Sequence, residues 1–299
     1  MVAPVLAQTQ SHLCNLFKIN GSTYPATSIT LKDNATQLAI EDKIIANIPT
    51  QHPQDEIPTT LDGKAIYCVA GTLTADLVKE AASTGQFIIY GSINHNDRNY
   101  IRSYTNGAKS IKFINIDGEQ VTSLQQILYE SEASSVTFEN CNFSKVWTLL
   151  NAFSYMSNLT SFSFKGMGLT NKLTELRYMF FGCKKLESVD FCNCDFSSVN
   201  NLYGMFSNCS ALKSIDFSSC NLTGVSSTGN MFNSCSALES IDFSNCDFSN
   251  VTTIQYYMFA GCKALKEIKA IGCNEATIAF LKDRLNDAGL TNQVTLTVK

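Results

Sequence analysis

The chain has 299 residues, of which 44% are hydrophobic and only 16% are charged, and its formal net charge is −4. This length suits one large packed domain or two modest ones, and the low charge suits a secreted or surface protein. The 22 lysine and arginine residues, against 26 aspartate and glutamate residues, leave no basic surplus, which argues against nucleic acid and anionic membranes as main partners.

The start of the chain bears on export. MVAPVLAQTQSHLC lacks the basic start and the apolar core of a signal peptide, although VLAQTQ resembles the end of one. No run of about eighteen apolar residues follows, so the sequence predicts no transmembrane segment. We expect a secreted or cell-surface protein whose export signal has been removed from this chain.

Residues 1–62 form the first predicted unit, a small β-rich segment that ends in a proline-rich linker. Short alternating apolar and polar pieces, broken by Gly21 and Pro25, are typical of strands joined by turns. The stretch PTQHPQDEIPTT then carries three of the five prolines of the chain, which predicts a loop or linker.

The second predicted unit, residues 63–299, begins with an N-terminal cap over residues 63–90. Its KAIYCV stretch predicts a strand, and GTLTADLVKEAASTG places apolar residues at helical spacing before Gly85. FIIYGSI and IKFINI, which follow, are short β-forming runs.

An eleven-residue pattern recurs through the second unit. LESVDFCNCDF from Leu186 returns as LKSIDFSSCNL from Leu212 and as LESIDFSNCDF from Leu238. Apolar residues at its first, fourth, sixth and eleventh places, with cysteine at the ninth, are the strand segment of a leucine-rich repeat. The fourth place recurs every 23 to 27 residues. This register predicts nine parallel strands, at Ile88, Ile111, Val136, Phe162, Val189, Ile215, Ile241, Ile268 and Val294.

The rest of each unit predicts an α/β solenoid. A second apolar series, which contains Met205, Phe206 and Cys209 in one unit, predicts a short helix or 3-10 turn on the convex side. Residues 274–299 predict a C-terminal cap, made of a helix that ends at Gly289 and the strand QVTLTVK. The sixth place predicts one continuous aromatic spine, because parallel strands lie about 4.8 Å apart. The spine residues are Phe138, Phe164, Phe191, Phe217 and Phe243.

Most of the 12 cysteines fall into two columns of the repeat. A place that exchanges cysteine for methionine, as Met167 does, is used as a small apolar filler, so we expect buried thiols. Disulfides between coils and a zinc site at Cys192 and Cys194 are the alternatives. Side chains of one column would run parallel rather than point toward each other, and no second ligand pair lies in register. The columns are Cys183, Cys209, Cys235 and Cys262, and Cys141, Cys194, Cys220, Cys246 and Cys273.

No catalytic or cofactor motif is recognisable. FKGMGLTN fails the dinucleotide-binding pattern because Asn171 stands where the last glycine must be. The three histidines, His12, His52 and His95, lie in unrelated segments, and thiols in a hydrophobic column have a raised pKa and poor access. We therefore expect no enzymatic activity, no cofactor and no metal centre.

The exposed face of the strands is the predicted binding surface. Serine dominates the third place of the repeat, and aspartate occupies the fifth place in three successive units. Carboxylates about 5 Å apart repel by roughly 0.8 kcal/mol in water-like dielectric. Either repeat duplication explains this stripe, with Lys213 and Lys269 screening it, or the stripe receives a cation or a basic partner segment. The predicted partner-binding residues of this concave face are Ser188, Asp190, Ser214, Asp216, Ser240, Asp242 and Lys269.

The unit MFSNCSALKSIDFSSCNL, from Met205 to Leu222, resembles the BspA-like leucine-rich repeats of bacterial surface proteins and their MFxxCxxLxxxD(L/F)S motif. The resemblance covers about Gly71 to Cys273 and leaves residues 1–62 outside. It implies an exported, right-handed solenoid that binds proteins, with adhesion to host extracellular matrix or to other microbial surface proteins as the usual proposal. It carries over no catalytic residue. Phenylalanine at the sixth place, where leucine is usual, and the abundance of cysteine depart from the family pattern.

Three functions stay open at this point. The favoured one is a non-enzymatic protein-binding or adhesion module that uses the solenoid surface. In the second, the N-terminal β module binds a glycan or anchors the chain, and the repeats act as a spacer. The third is an enzyme with an unrecognised site.

Overall fold

The computed structural model describes residues 15–18, 38–40, 43–46, 64–68 and 70–299, with gaps at 192–193, 219 and 252–256. Within these ranges the strands are β1 Asn15–Lys18, β2 Leu38–Ile40, β3 Lys43–Ala46, β4 Lys64–Cys68, β5 Gln86–Asn94, β6 Ser110–Gln120, β7 Ser135–Glu139, β8 Ser161–Ser163, β9 Ser188–Asp190, β10 Ser214–Asp216, β11 Ser240–Asp242, β12 Glu267–Lys269 and β13 Thr295–Thr297. The helices are α1 Ala75–Ala82, α2 His95–Tyr104 and α3 Glu275–Asp287.

Every strand pair among β4 to β13 is parallel, as the repeat predicts, in the three groups β4-β5-β6-β7, β8-β9 and β10-β11-β12-β13. β4 precedes the nine strands of the predicted register. The short strands β1 to β3 are the described part of residues 1–62, and β1 pairs antiparallel with β4. The proline-rich linker lies outside the described residues. Parallel strands at the repeat spacing make this a solenoid-like repeat fold.

The predicted register is confirmed in the middle of the array and is wrong at its two ends. Ile215, Ile241 and Ile268 stand side by side on β10, β11 and β12. At the start, Phe87 rather than Ile88 aligns with Ile111. The run FIIY has no alternation that could fix its register. At the end, Leu296 rather than Val294 aligns with Ile268. A shift of two residues leaves every side chain on the same face, so alternation alone cannot detect it.

The convex side holds turns instead of the predicted short helices. Between α2 and α3 the described chain contains no helix. Isolated bridges such as Glu175 with Asn201 join neighbouring coils there, and a run of turns follows each bridge. Each run has two residues with positive φ four positions apart, for example Asn151 at 52° and Tyr155 at 60°. A left-handed residue every fourth position ends helical propagation. The chain therefore forms isolated turns, each closed by a bond such as that from the Met205 N–H to the Leu202 carbonyl, which is the turn alternative of the prediction.

The backbone of these turn runs is hydrogen-bonded from coil to coil. Every second N–H donates to the next coil, and the intervening N–H groups close local turns. In one coil, the N–H groups of Leu149, Asn151, Phe153 and Tyr155 donate to the carbonyls of Glu175, Arg177, Met179 and Phe181 at 2.7 to 3.1 Å. The carbonyl of Gln125, at the N-terminal end of this network, accepts from the buried guanidinium of Arg98 in α2. The turns are therefore as firmly tied together as the strands.

Two columns of phenylalanine rings fill the core, where one was predicted. In the strand column, Phe217 stacks between Phe191 at 4.7 Å and Phe243 at 5.5 Å between ring centroids. The second column, from the MF places of the turns, runs through stacked rings 5.5 to 6.1 Å apart. Its members are Phe153, Phe180, Phe206, Phe232 and Phe259.

The prediction of a continuous strand column is wrong at one step. No ring contact joins Phe138 to Phe164 among the described residues, and Phe138 stacks on Phe113 instead. Phe162 explains the interruption. It occupies a fourth place that holds valine or isoleucine in the neighbouring units, and its larger ring lies 6.1 Å from Phe138 and 4.6 Å from Phe153.

The C-terminal cap has the predicted helix and strand. Asn274 caps α3 by accepting from the Thr277 N–H at 2.8 Å. Leu281 and Leu285 are buried, and Gly289 follows the helix with φ of 69°. The cap thus covers the last coil with one apolar helix face.

Candidate functional site

The strand face consists of the third and fifth repeat places on β9 to β12, and it carries all seven predicted binding residues. Asp216, Asp242 and Lys269 are direct cross-strand neighbours, as are Ser214 and Ser240. Their side chains are exposed or half-exposed, while the fourth place between them is buried. Ser188 and Asp190 are exposed on β9, which pairs with β8 rather than with β10.

Each aspartate of the strand face also has a structural contact. Asp216 accepts from the backbone N–H of Ser218 at 2.8 Å, and Asp242 accepts from that of Ser244 at 2.9 Å. Asp190 accepts from the Ser163 hydroxyl at 3.1 Å on the neighbouring strand. The contacts of Asp216 and Asp242 close the turn after the strand, whereas that of Asp190 joins two strands. For Asp216 and Asp242, one carboxylate oxygen serves the turn and the other is available to a partner.

The charge around this stripe differs from the predicted screening. Lys213 forms an ion pair with Glu187 at 2.9 Å, so its charge is already matched. Lys266 forms the same kind of pair with Glu239 at 2.8 Å and, with Lys213, lowers the pKa of that carboxyl. These exposed pairs form a column beside the strand face. Lys269, the other lysine predicted to screen the stripe, is the cross-strand neighbour of Asp242.

No group of three or more histidine, cysteine, aspartate or glutamate side chains is placed to hold a metal ion in the described part of the chain. His95 begins α2 and is exposed, whereas His12, His52 and Cys192 lie outside the described residues. Repeat duplication and a basic partner segment both stay predictions for the stripe.

The described cysteines are free thiols, as predicted, and eight of the ten are buried. Their sulfurs donate hydrogen bonds between coils, as Cys209 does to the Phe180 carbonyl and Cys235 to the Phe206 carbonyl, at 3.1 and 3.0 Å. Burial raises the pKa of Cys183 to about 12 and that of Cys141 to about 11. Thiols of this kind are poor nucleophiles, and they serve packing.

A cavity of about 420 Å³ opens on the strands at the point where ladder pairing between β7 and β8 is interrupted. Its polar lining includes Thr137 and Ser163. The exposed charge of Glu139 lies on β7, and that of Lys165 lies in the turn after β8. No sequence feature indicated this cavity, which combines residues of β7 with Ser163 and the turn that follows β8.

A cluster of aromatic side chains lies on the turns, and the sequence did not predict it. We call it the turn-face aromatic cluster, and its members are Tyr129, Tyr155, Tyr178, Phe181 and Tyr203. Tyr257, on a later turn, is 61% exposed. The signal for the cluster is a tyrosine one coil before a glycine, as with Tyr155 and Gly182.

Parallel strands at a repeat spacing, with a leucine-rich pattern facing the core, define the class: the chain is similar to the leucine-rich repeat proteins of bacterial cell surfaces. A family model described as "Mycoplasma protein of unknown function, DUF285" matches residues 169–271. No curated protein matches the chain.

Two solved structures are among those similar to this chain. One is a leucine rich cell surface protein from Faecalibacterium prausnitzii, with 16% identity and a TM-score of 0.32 over 61% of this chain and 59% of that one. The other is a leucine-rich repeat protein from Bacteroides ovatus, with 15% identity and a TM-score of 0.25 over 91% of this chain and 76% of that one. The match to the first thus spans 59% of its length. Among the residues described, no helix is both long and apolar enough to cross a membrane.

Proposed function

We propose that this chain is a non-enzymatic binding module of the bacterial cell surface, and that its strand face holds a basic segment of a protein partner. The observation that carries the proposal is the pair Asp216 and Asp242, which lie side by side on β10 and β11, exposed and half-exposed. Each uses one carboxylate oxygen in the turn that follows its strand. Of the two lysines predicted to screen the aspartates, Lys213 is paired with Glu187, and Lys269 lies beside Asp242. A partner with lysine or arginine at strand spacing would match this pair of aspartates.

The backbone supports this role because the platform is rigid before binding. Strand ladders and turn bonds tie each coil to the next, and the stacked rings of the core fix their spacing. A surface that does not need to be ordered on association loses less free energy when it binds. The cavity beside Glu139 and Lys165 lies on β7 and β8, which precede the strand face in the chain, and gives a partner a place for an anchoring side chain.

The test uses the full chain, because removal of β1 would uncover the edge of β4. A panel of immobilised host extracellular-matrix proteins is probed with the wild type and with a triple variant, Asp190→Asn, Asp216→Asn and Asp242→Asn. Asparagine still accepts the turn hydrogen bonds, so the fold is expected to persist. We expect the triple variant to lose most of its binding, and the wild type to bind more weakly as salt rises.

A matched control removes the same charge from the neighbouring column. The triple variant Glu132→Gln, Glu187→Gln and Glu239→Gln changes three exposed carboxylates that already pair with lysines. Its binding is expected to equal that of the wild type. Equal losses in both variants would indicate a general effect of net charge and would contradict a site on the strand face.

A further inference from the structure

The turn-face aromatic cluster encloses a second candidate site, on residues other than those of the strand face. A cavity of about 330 Å³ is lined by Gln126, Tyr129, Asn151, Tyr155, Tyr178 and Phe181. This volume lies at the lower end of the range of small-molecule pockets, about 300 to 1,000 Å³. It suits the end of a small ligand better than a folded protein surface.

The rings of the cluster are held in a fixed arrangement. Tyr155 contacts Tyr129 and Phe181 edge to face, at 5.5 and 5.2 Å between ring centroids. A Cβ atom on Gly182 would lie 2.9 Å from the Tyr155 ring, so that ring rests directly on the glycine backbone of the next coil. Tyr155 nevertheless remains 44% exposed. One aromatic side chain is thus presented to solvent in a set orientation.

Three uncharged polar groups around the cavity have no hydrogen-bond partner within the described chain. They are the hydroxyl of Tyr155, the side-chain amide of Gln126 and the amide nitrogen of Asn151, whose oxygen accepts from Ser154. The hydroxyls of Tyr129 and Tyr178 are already engaged, by Glu130 and Tyr203. The free groups can both donate and accept hydrogen bonds.

No charged side chain lines this cavity. Glu130, next to the cavity, forms a hydrogen bond with the Tyr129 hydroxyl. The neighbouring Arg177 forms an ion pair with Glu175, at 3.8 Å. A carboxylate or sulfate on a ligand would therefore meet no free cation here and would approach a glutamate. An exposed ring, two amides and a hydroxyl without charge match a neutral, hydroxyl-rich ligand that also has an apolar C–H face.

We propose that the turn-face aromatic cluster binds the end of a neutral glycan, with Tyr155 as the stacking ring and Gln126 and Asn151 as the hydrogen-bonding amides. This site is independent of the protein-binding strand face proposed above. It also differs from a glycan site in residues 1–62, because every residue that lines it lies in the turns of the repeats.

The experiment is a glycan array probed with the full chain. The array carries neutral, sialylated and sulfated oligosaccharides, and the strongest neutral one is then titrated by calorimetry. We expect neutral glycans to be preferred. Tyr155→Ala is expected to weaken binding by about tenfold, near the upper end of what one aromatic contact contributes.

Two further variants separate binding from folding. Asn151→Gly removes the amide but suits the φ of 52° at that position, so it is expected to keep the wild-type melting temperature and to lose affinity. Tyr257→Ala is the matched control, since Tyr257 also has a positive φ, of 65°, and is exposed but does not line the cavity. It is expected to bind as the wild type does.

Each other outcome overturns the proposal. These outcomes are no binding to any neutral glycan, a preference for sialylated or sulfated ligands, and wild-type affinity in both Tyr155→Ala and Asn151→Gly. Loss of matrix-protein binding in Tyr155→Ala, without any glycan binding, would assign the cluster to a protein partner instead. The triple aspartate variant must keep its glycan binding, so the two proposals can fail separately.

Discussion

Replacement of Phe217 by alanine perturbs the core where its two ring columns meet. Phe217 is 1% exposed and stacks on Phe191 and Phe243. It also contacts Phe206 and Phe232 of the turn column edge to face, at 6.4 Å each. The burial of such a side chain contributes about 1.5 to 3 kcal/mol, and each aromatic pair adds about 0.5 to 1.5 kcal/mol.

These contributions predict that Phe217→Ala lowers the free energy of unfolding by about 4 kcal/mol, within the range of about 3 to 5 kcal/mol that such substitutions cost. Phe217→Leu keeps most of the buried apolar volume and loses only the ring contacts, so we expect a loss of about 1 to 2 kcal/mol. Urea denaturation followed by far-UV circular dichroism measures both. A loss below about 1 kcal/mol in Phe217→Ala would refute the interlocked columns.

Three further predictions concern the thiols and the turns. Burial raises the pKa of Cys183 and Cys262 from 9.0 to about 12. Both thiols are therefore protonated below pH 9 in the folded and in the unfolded chain, and between pH 9 and 12 they ionise only in the unfolded chain. As the pH rises through this range, each of the two thiols should lower the free energy of unfolding by about 1.4 kcal/mol per pH unit. Unfolding curves independent of pH from 8 to 10.5 would contradict this, and Cys183→Ala should flatten the dependence. Gly182→Ala should destabilise by about 1 to 2 kcal/mol more than Gly85→Ala, because both glycines have positive φ but only the first lies under a ring, that of Tyr155; equal melting temperatures would be inconsistent with that contact. Thiol titration should detect at least eight more reactive thiols in denaturant than in buffer, and a count unchanged by denaturant would contradict the buried columns.

The strands and the cysteine columns could be predicted because one physical constraint acts in every unit. Each coil must bury its fourth and sixth places against the next, so Ile215, Ile241 and Ile268 recur in register. The same logic placed Asp216 and Asp242 side by side on the opposite face. The predicted register is wrong where the pattern weakens. These places are the continuous apolar run of β5 and the alternating residues before β13.

The turns could not be predicted from apolar spacing alone. Their buried residues recur at intervals of three and four, which also fits a helix, and the backbone is decided by the residues between them. Asn151, Tyr155 and Gly204 adopt positive φ because a neighbouring coil takes up their N–H groups, which is a tertiary effect. Helix α2 was missed as well, although Asn94 and Asp97 form a capping box that signals its start.

Of the two candidate sites, the sequence predicts only the one that follows from the repeat. The strand face follows from the repeat, so its seven residues could be named in advance. The aromatic cluster depends on which side chains the turns bring together. Gln126 and Tyr155 lie 29 positions apart, which is not the repeat interval, so the repeat pattern does not predict that they meet. The pairing of Lys213 with Glu187 also needed the structure, since a lysine can reach either neighbouring strand.

The most direct test of the account compares matrix-protein binding by the wild type and by the two triple carboxylate variants, at low and at high salt. The account predicts salt-sensitive binding that is lost when Asp190, Asp216 and Asp242 become asparagine and is kept when Glu132, Glu187 and Glu239 become glutamine. Binding that survives in the aspartate variant would contradict a partner site on the strand face.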